Sequence, residues 1–257
     1  MSVYDLLRDK VKKEAVHFSL VDPDEIGYDL AADFAAAASD AGTDAILIGG
    51  TVGVQGELLD ETVKKIKATV DVPVILFPGD ISGISPFADA ILYLSLLNSR
   101  NPYYISGVQA LSAPILLRWK LEVVPTAYLI TEPGGETAAG WVGDARPLPV
   151  RKPSITYAYA LSARFIGYKF VYLEAGSGAE YPVDDRLVMV ARKALGSETP
   201  LIVGGGIRTP ELAAQKVMAG ADVVVTGTAL ENTADVESTV RHFVEAVKSA
   251  PRANVDG

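Results

Sequence analysis

With 257 residues, 49% of them hydrophobic, the chain is long enough to bury one large α/β barrel or two smaller domains. A formal charge of −9 and an isoelectric point near 4.8 argue against a nucleic-acid surface or a polybasic membrane anchor. The absence of cysteine excludes disulfides, thiolate metal sites and cysteine nucleophiles.

The first segment, MSVYDLLRDKVKKEAVHF, is charged and amphipathic and lacks the apolar centre of a signal peptide. Eight short apolar runs follow, each closing on glycine, proline or a polar residue: AVHFSLVD (15–22), AILIGG (45–50), VPVILFPG (72–79), AILYLSLL (90–97), VPTAYLIT (124–131), FVYLEAG (170–176), PLIVGGG (200–206) and DVVVTGT (222–228). Near-continuous apolar runs predict strands covered on both faces, as in a parallel sheet. Helical patterns separate most of them. YDLAADFAAAASDAG ends on Gly42, a suitable C-terminal residue, and ELLDETVKKIKATV carries its apolar residues on one face. SITYAYALSARFIG, PVDDRLVMVARKAL, TPELAAQKVMAG and ADVESTVRHFVEAVKSA follow the later strands. In RTPELA, Thr209 is placed to cap a helix with Pro210 at its first position and Glu211 in its first turn.

This alternation predicts a single (β/α)8 TIM barrel over residues 1–257, with an open doubly wound sheet as the alternative. One helix is out of pattern. DISGISPFAD, after the third run, is too short and too rich in glycine, serine and proline for an ordinary barrel helix. Arg118, Lys120, Glu122 and Pro125 break the longest apolar stretch before it reaches the roughly 18 residues of a membrane span. The expectation is a cytoplasmic protein.

Ligands of such barrels sit at the C-terminal strand ends, often with a phosphate on the last two loops. An acidic chain holds that anion only by local means: backbone N–H groups, helix N-termini or a divalent cation. VGGGIRTPELA supplies Gly204, Gly205 and Gly206, and VVTGTALEN supplies Gly227 and Thr228. Glycines let the backbone approach an anion closely. Gly176, Ser177 and Gly178, on the preceding strand's loop, add donors, and Glu174 beside them is placed to orient a substrate hydroxyl or take its proton, or else to form a structural ion pair. Across the barrel, Asp22 and Asp24 flank Pro23, and Thr51 follows two glycines. A carboxylate and a hydroxyl there suit Mg2+, although Asp-Pro-Asp also makes a plain turn with a helix cap. Between these ends, FPGDISGISPFADAILYLSLLNSRNPYYISGVQALSAP is apolar and interrupted by turn residues, with Tyr93, Tyr103, Tyr104 and Tyr128 as candidates for the wall of a groove. His17 reads as structural and His242 as an exposed helix residue.

HFSLVDPD, ILIGGT, PVILFPGDISGIS, NPYYISGVQ, YLEAGSGA, VGGGIRTPE and VVTGT together resemble the geranylgeranylglyceryl phosphate synthase family of archaeal ether-lipid synthesis, over nearly the whole chain. A related bacterial branch, which makes heptaprenylglyceryl phosphate, commonly carries a lysine two residues before the first-strand aspartate and an asparagine after the last-strand glycine. Leu20 and Thr228 stand there instead, and TEPGGETAAGWVGDARPLP is also similar to the archaeal branch. The resemblance implies Mg2+-dependent transfer of a geranylgeranyl group from geranylgeranyl diphosphate to the 3-hydroxyl of sn-glycerol 1-phosphate. It places magnesium–diphosphate on Asp22 and Thr51. It places glycerol 1-phosphate on Tyr172, Leu173, Glu174, Ala175, Gly176, Ser177 and Gly178 with Gly205, Gly206, Gly227 and Thr228, and makes Glu174 the catalytic group. It further implies a missing third helix, transient membrane proximity and a homo-oligomer, dimer or hexamer, with no nucleic-acid partner.

Overall fold

The computed structural model describes residues 1–50, 55–132, 134–231, 233 and 235–253. Eight parallel strands close a barrel in sequential order: β1 (Val16–Val21), β2 (Ala45–Ile48), β3 (Val74–Leu76), β4 (Ala90–Leu96), β5 (Glu122–Ile130), β6 (Phe170–Glu174), β7 (Leu201–Gly204) and β8 (Val223–Thr226). The helices are α1 (Val3–Val11), α2 (Pro23–Ile26), α3 (Ala31–Asp40), α4 (Gly56–Lys67), α5 (Val108–Trp119), α6 (Ala138–Val142), α7 (Pro153–Ile166), α8 (Asp185–Leu195), α9 (Pro210–Ala219), α10 (Thr228–Glu231) and α11 (Val236–Ser249). Among the described residues no helix is long and apolar enough to cross a membrane.

Alternation along each strand produces two cores. Phe18, Leu47, Ile75, Leu92, Tyr128, Tyr172, Ile202 and Val225 fill the barrel interior. Ile46, Ile48, Leu76, Leu129, Leu173 and Val203 point outward against the helices. Both faces of every strand are therefore covered, and this is why the runs look continuously apolar. The amphipathic first segment has a specific place: Leu7 and Val11 of α1 join the inner core. The first two N–H groups of α1 donate to the Glu122 carboxylate at 2.7 and 2.8 Å, so the acid at the start of β5 satisfies helix-end donors that lack intrahelical partners. Thr209 caps α9 as its sequence indicates.

In place of a third barrel helix there is one 3-10 turn, Ile81–Gly83, capped by the Asp80 carboxylate. Nearby, the barrel wall is thin. β3 and β4 share only Ile75↔Ala90 and Leu76↔Ile91, whereas β4 pairs with β5 from Ala90↔Glu122 to Leu96↔Tyr128. Where β3 runs out, α5 crosses over. Gln109 donates its side-chain amide to the Leu94 carbonyl, and the Tyr93 hydroxyl donates to the Gln109 carbonyl at 2.5 Å. The stretch expected to be a broken apolar segment thus contains a helix, entered through a π-helical turn at Tyr103–Gly107 and tolerating Pro114 inside it. Proline removes one helical hydrogen bond, and the sequence pattern alone concealed the helix.

His17 is fully buried between the barrel and α11, with its ring nitrogens 3.0 Å from the Thr43 hydroxyl and 2.9 Å from the Thr226 hydroxyl. Burial lowers its pKa to about 4. Because the unfolded histidine binds a proton more readily, its contribution is complete above the unfolded value and is lost as pH falls toward the folded one. On the order of 3 kcal/mol should disappear between pH 6.5 and 4. Urea unfolding at the two ends of this window should show a smaller loss for His17→Gln than for the wild type; equal losses would refute the assignment.

Candidate active site

The C-terminal ends of the strands open into a single continuous cavity of about 1400 Å³, its open mouth included. Its lining contains Asp22 and Gly50, from the ends of β1 and β2, and Ser177, Gly178, Gly205, Gly206, Arg208, Gly227 and Thr228, from beyond β6, β7 and β8. Because β1 pairs with β8, Asp22 stands on the same side of the barrel as the last glycine loop. The rest of the lining is largely apolar, with Phe77, Ile84, Leu94, Tyr104, Val108 and Val142, and includes Tyr128, Tyr172 and Glu174. Ile91 and Tyr93 also line it, although their side chains pack on the outer side of β4. The cavity therefore continues through the thin wall toward α5.

Glu174 ends β6 at 4% exposure. Its Oε1 accepts the Gly176 N–H at 2.5 Å, and the hydroxyls of Tyr172 and Tyr128 also donate to the carboxylate. The two tyrosines are register partners on β5 and β6. Their rings meet edge-on at 5.3 Å, and Phe77 from the end of β3 stacks on Tyr172 at 5.3 Å. Burial raises the Glu174 pKa above the usual glutamate range, and the donors to its ionised form hold the rise back. The hydroxyls of Tyr128 and Tyr172 are pushed well above the ordinary tyrosine value, chiefly by burial and then by the charge of Glu174. Both stay protonated and act as donors.

The glycines of the β7 loop serve this cluster as well as any anion. A Cβ on Gly204 would collide with the Tyr172 hydroxyl, and one on Gly205, whose φ is +84°, with Glu174 Oε1. Only the third, Gly206, is free of that demand; there a Cβ would strike the Tyr181 carbonyl. Among the described residues the backbone N–H groups of Ser177, Gly178, Gly205 and Gly206 donate to no acceptor within the chain. Four unspent donors on adjoining loops make a candidate anion cradle. The Ser177 and Thr228 hydroxyls stand 3.2 Å apart beside it.

Not every expected residue faces this space. Leu173 and Ala175 are fully buried in the outer core and absent from the cavity lining, because alternation on β6 turns their side chains toward the helices. Gly176 spends its N–H on Glu174 and is a support for the carboxylate. Asp22, 8% exposed, occupies the N-cap position of α2 but makes no capping bond with its side chain. The turn reading is thus correct for the backbone, while the carboxylate lines the cavity. Asp24 is exposed on α2 and outside the lining. Thr51 lies outside the described residues; Gly50 before it lines the cavity. Tyr93, Tyr104 and Tyr128 line the cavity, and Tyr103 instead meets Tyr104 edge-on at 5.0 Å. Tyr128 has a second role that the sequence reading missed, as a donor to Glu174. Its in-register pairing with Tyr172 was the available signal.

A hard divalent cation fits the Asp22 end in one manner only. Among the described residues no three acidic or histidine side chains converge as a cage, so one buried carboxylate suits an ion that takes its remaining ligands from water and substrate oxygens.

If ionised Glu174 drives chemistry, turnover falls as pH drops through its raised folded pKa. Tyr128→Phe removes a donor to the charged form, raises that pKa further and should move the acid limb of the rate profile to higher pH. A limb that stays fixed or moves down would exclude the coupling.

Comparison with known proteins gives a consistent result. The PcrB family model matches residues 8–247. Geranylgeranylglyceryl phosphate synthase from Thermococcus kodakarensis is 51% identical over 231 residues, 90% of each chain. The crystal structure of (S)-3-O-geranylgeranylglyceryl phosphate synthase from Thermoplasma acidophilum, in complex with its substrate sn-glycerol-1-phosphate, superposes with a TM-score of 0.91 at 40% identity, covering 96% of this chain and 99% of that one. A thiamine phosphate pyrophosphorylase from Pyrococcus furiosus, covering 94% of this chain and 97% of its own, reaches a TM-score of only 0.57 at 14% identity and shares the fold alone.

Proposed function

Because the chain belongs to the PcrB family, we propose that it is a prenyltransferase joining geranylgeranyl diphosphate to the 3-hydroxyl of sn-glycerol 1-phosphate with release of diphosphate. The observation that carries this reading is the single cavity whose lining brings together the Asp22 carboxylate, a large apolar surface and the glycine loops after β6, β7 and β8, with Glu174 buried among them. A phosphosugar isomerase would have little use for the apolar surface.

The glycerol phosphate is held at the cradle of Ser177, Gly178, Gly205 and Gly206 with Gly227 and Thr228, so that its free hydroxyl lies by Glu174. The hydroxyl oxygen attacks the first carbon of the prenyl chain. The bond from that carbon to the diphosphate oxygen breaks, and the diphosphate leaves with the electron pair. The hydroxyl proton passes to Glu174, whose raised pKa makes it a stronger base than an exposed glutamate. Fixing both reactants in one cavity replaces a bimolecular encounter with a bound one. The apolar lining keeps out the water that would intercept a cationic allylic carbon, and the π-faces of Phe77, Tyr128 and Tyr172 favour positive charge. Mg2+, held by Asp22 and Thr51, would offset the charge on the leaving diphosphate. Exposed Leu117, Phe165 and Ile166 support a homo-oligomer, and the hydrophobic substrate supports work close to a membrane, in the cytoplasm.

Diphosphate release from purified protein with both substrates and Mg2+ tests the reading; turnover of other phosphosugars in its place would end it. Glu174→Gln should slow the reaction at least about a hundredfold, the scale of a positioned acid–base group, and near-normal turnover would remove its role. Asp22→Asn should raise the Mg2+ concentration for half-maximal rate at least about tenfold. An unchanged titration would count against this ligand.

A further inference from the structure

The cavity has a charge imbalance that its backbone donors do not resolve. Its lining carries the carboxylates of Asp22, Asp80 and Glu174 and one cationic side chain, Arg208. Arg208 stands at the start of α9, immediately before the capping Thr209. It makes no ion pair among the described residues, although acidic residues outnumber basic ones in the chain, 32 to 23. Its Nη2 donates to the carbonyls of Gly178 (3.3 Å) and Ala179 (3.1 Å). These carbonyls belong to the turn whose Ser177 and Gly178 N–H groups point to no internal acceptor.

We propose that Arg208 is the positioning residue that gives this acidic cavity its affinity for a phosphomonoester dianion. Nη2 binds the carbonyl side of the turn and so holds its N–H groups toward the cavity. A guanidinium has five N–H donors in a fixed fork, and the rest of that fork, at the cavity rim, adds the positive charge that neutral amides lack. An exposed arginine is ordinarily just solvated. Here it has no acid partner, it is held by two carbonyls, and the cavity it borders must accept a dianion beside three carboxylates. The assignment rests on the reading of these loops as the glycerol-phosphate site, and it adds a cationic side chain to a site otherwise built of neutral backbone amides and two hydroxyls.

The test is steady-state kinetics of Arg208→Gln and Arg208→Lys at saturating prenyl diphosphate, with inorganic phosphate as a competitive probe. Arg208→Gln should raise both the KM for glycerol phosphate and the inhibition constant of phosphate by about ten- to a hundredfold. It should leave kcat within about threefold and the KM for prenyl diphosphate unchanged. Arg208→Lys, which keeps the charge and loses the fork, should recover part of the loss. The KM for glycerol phosphate should also depend less on ionic strength in Arg208→Gln than in the wild type. An unchanged KM in Arg208→Gln, equal losses for both substrates, or Arg208→Lys no better than Arg208→Gln would each overturn the assignment. Absence of wild-type turnover would instead overturn the reading of the site beneath it.

Discussion

The site depends on holding one carboxylate where water barely reaches. Glu174 is buried at the end of β6, a position that penalises its ionised form. It is tolerable because a backbone N–H and two phenolic hydroxyls donate to it. Each donor places a further demand on the chain. The Tyr128 and Tyr172 hydroxyls reach the carboxylate because their strands pair in register. Their rings need Phe77 as a third wall, and the close approach of Tyr172 and Glu174 to β7 leaves room for nothing larger than glycine at 204 and 205. One buried carboxylate and its support therefore account for residues on β5, β6 and β7 and at the end of β3.

The second constraint is electrostatic. A chain with net charge −9 that handles two anionic substrates cannot rely on an overall attractive field. It has partial charges available locally: N–H groups on two glycine loops that, among the described residues, meet no acceptor. At the end of β1, the neighbour of β8, a carboxylate would recruit a cation that arrives with its ligand. Two chemistries of opposite sign thus solve the same problem within one cavity.

Strand order, the barrel and the missing helix are legible in the sequence because they follow from repeated local patterns, apolar runs alternating with capped helices. Glu174 and the glycine loops are legible because they interrupt those patterns where a strand should end. What remained hidden depends on neighbours far along the chain. Leu173 and Ala175 share a motif with Glu174, yet the two-residue period of the strand turns them away from the cavity. Tyr128 lies 46 residues before Glu174, and only the pairing of β5 with β6 brings them together. α5 contains a proline, so its helical character emerges only where Gln109 and Tyr93 tie it to β4. Arg208 stands within a glycine motif, and its two carbonyl partners belong to the preceding strand's loop.

The two-residue seam between β3 and β4 has a topological meaning. A closed tube admits a long, floppy hydrocarbon only end first, so every methylene must be threaded through one opening and withdrawn the same way. The wall between β3 and β4 stays closed, but it is short, and the cavity runs on past Ile91 and Tyr93 toward α5. A hydrocarbon tail laid in that side space would lie outside the bore and clear of the buried Glu174.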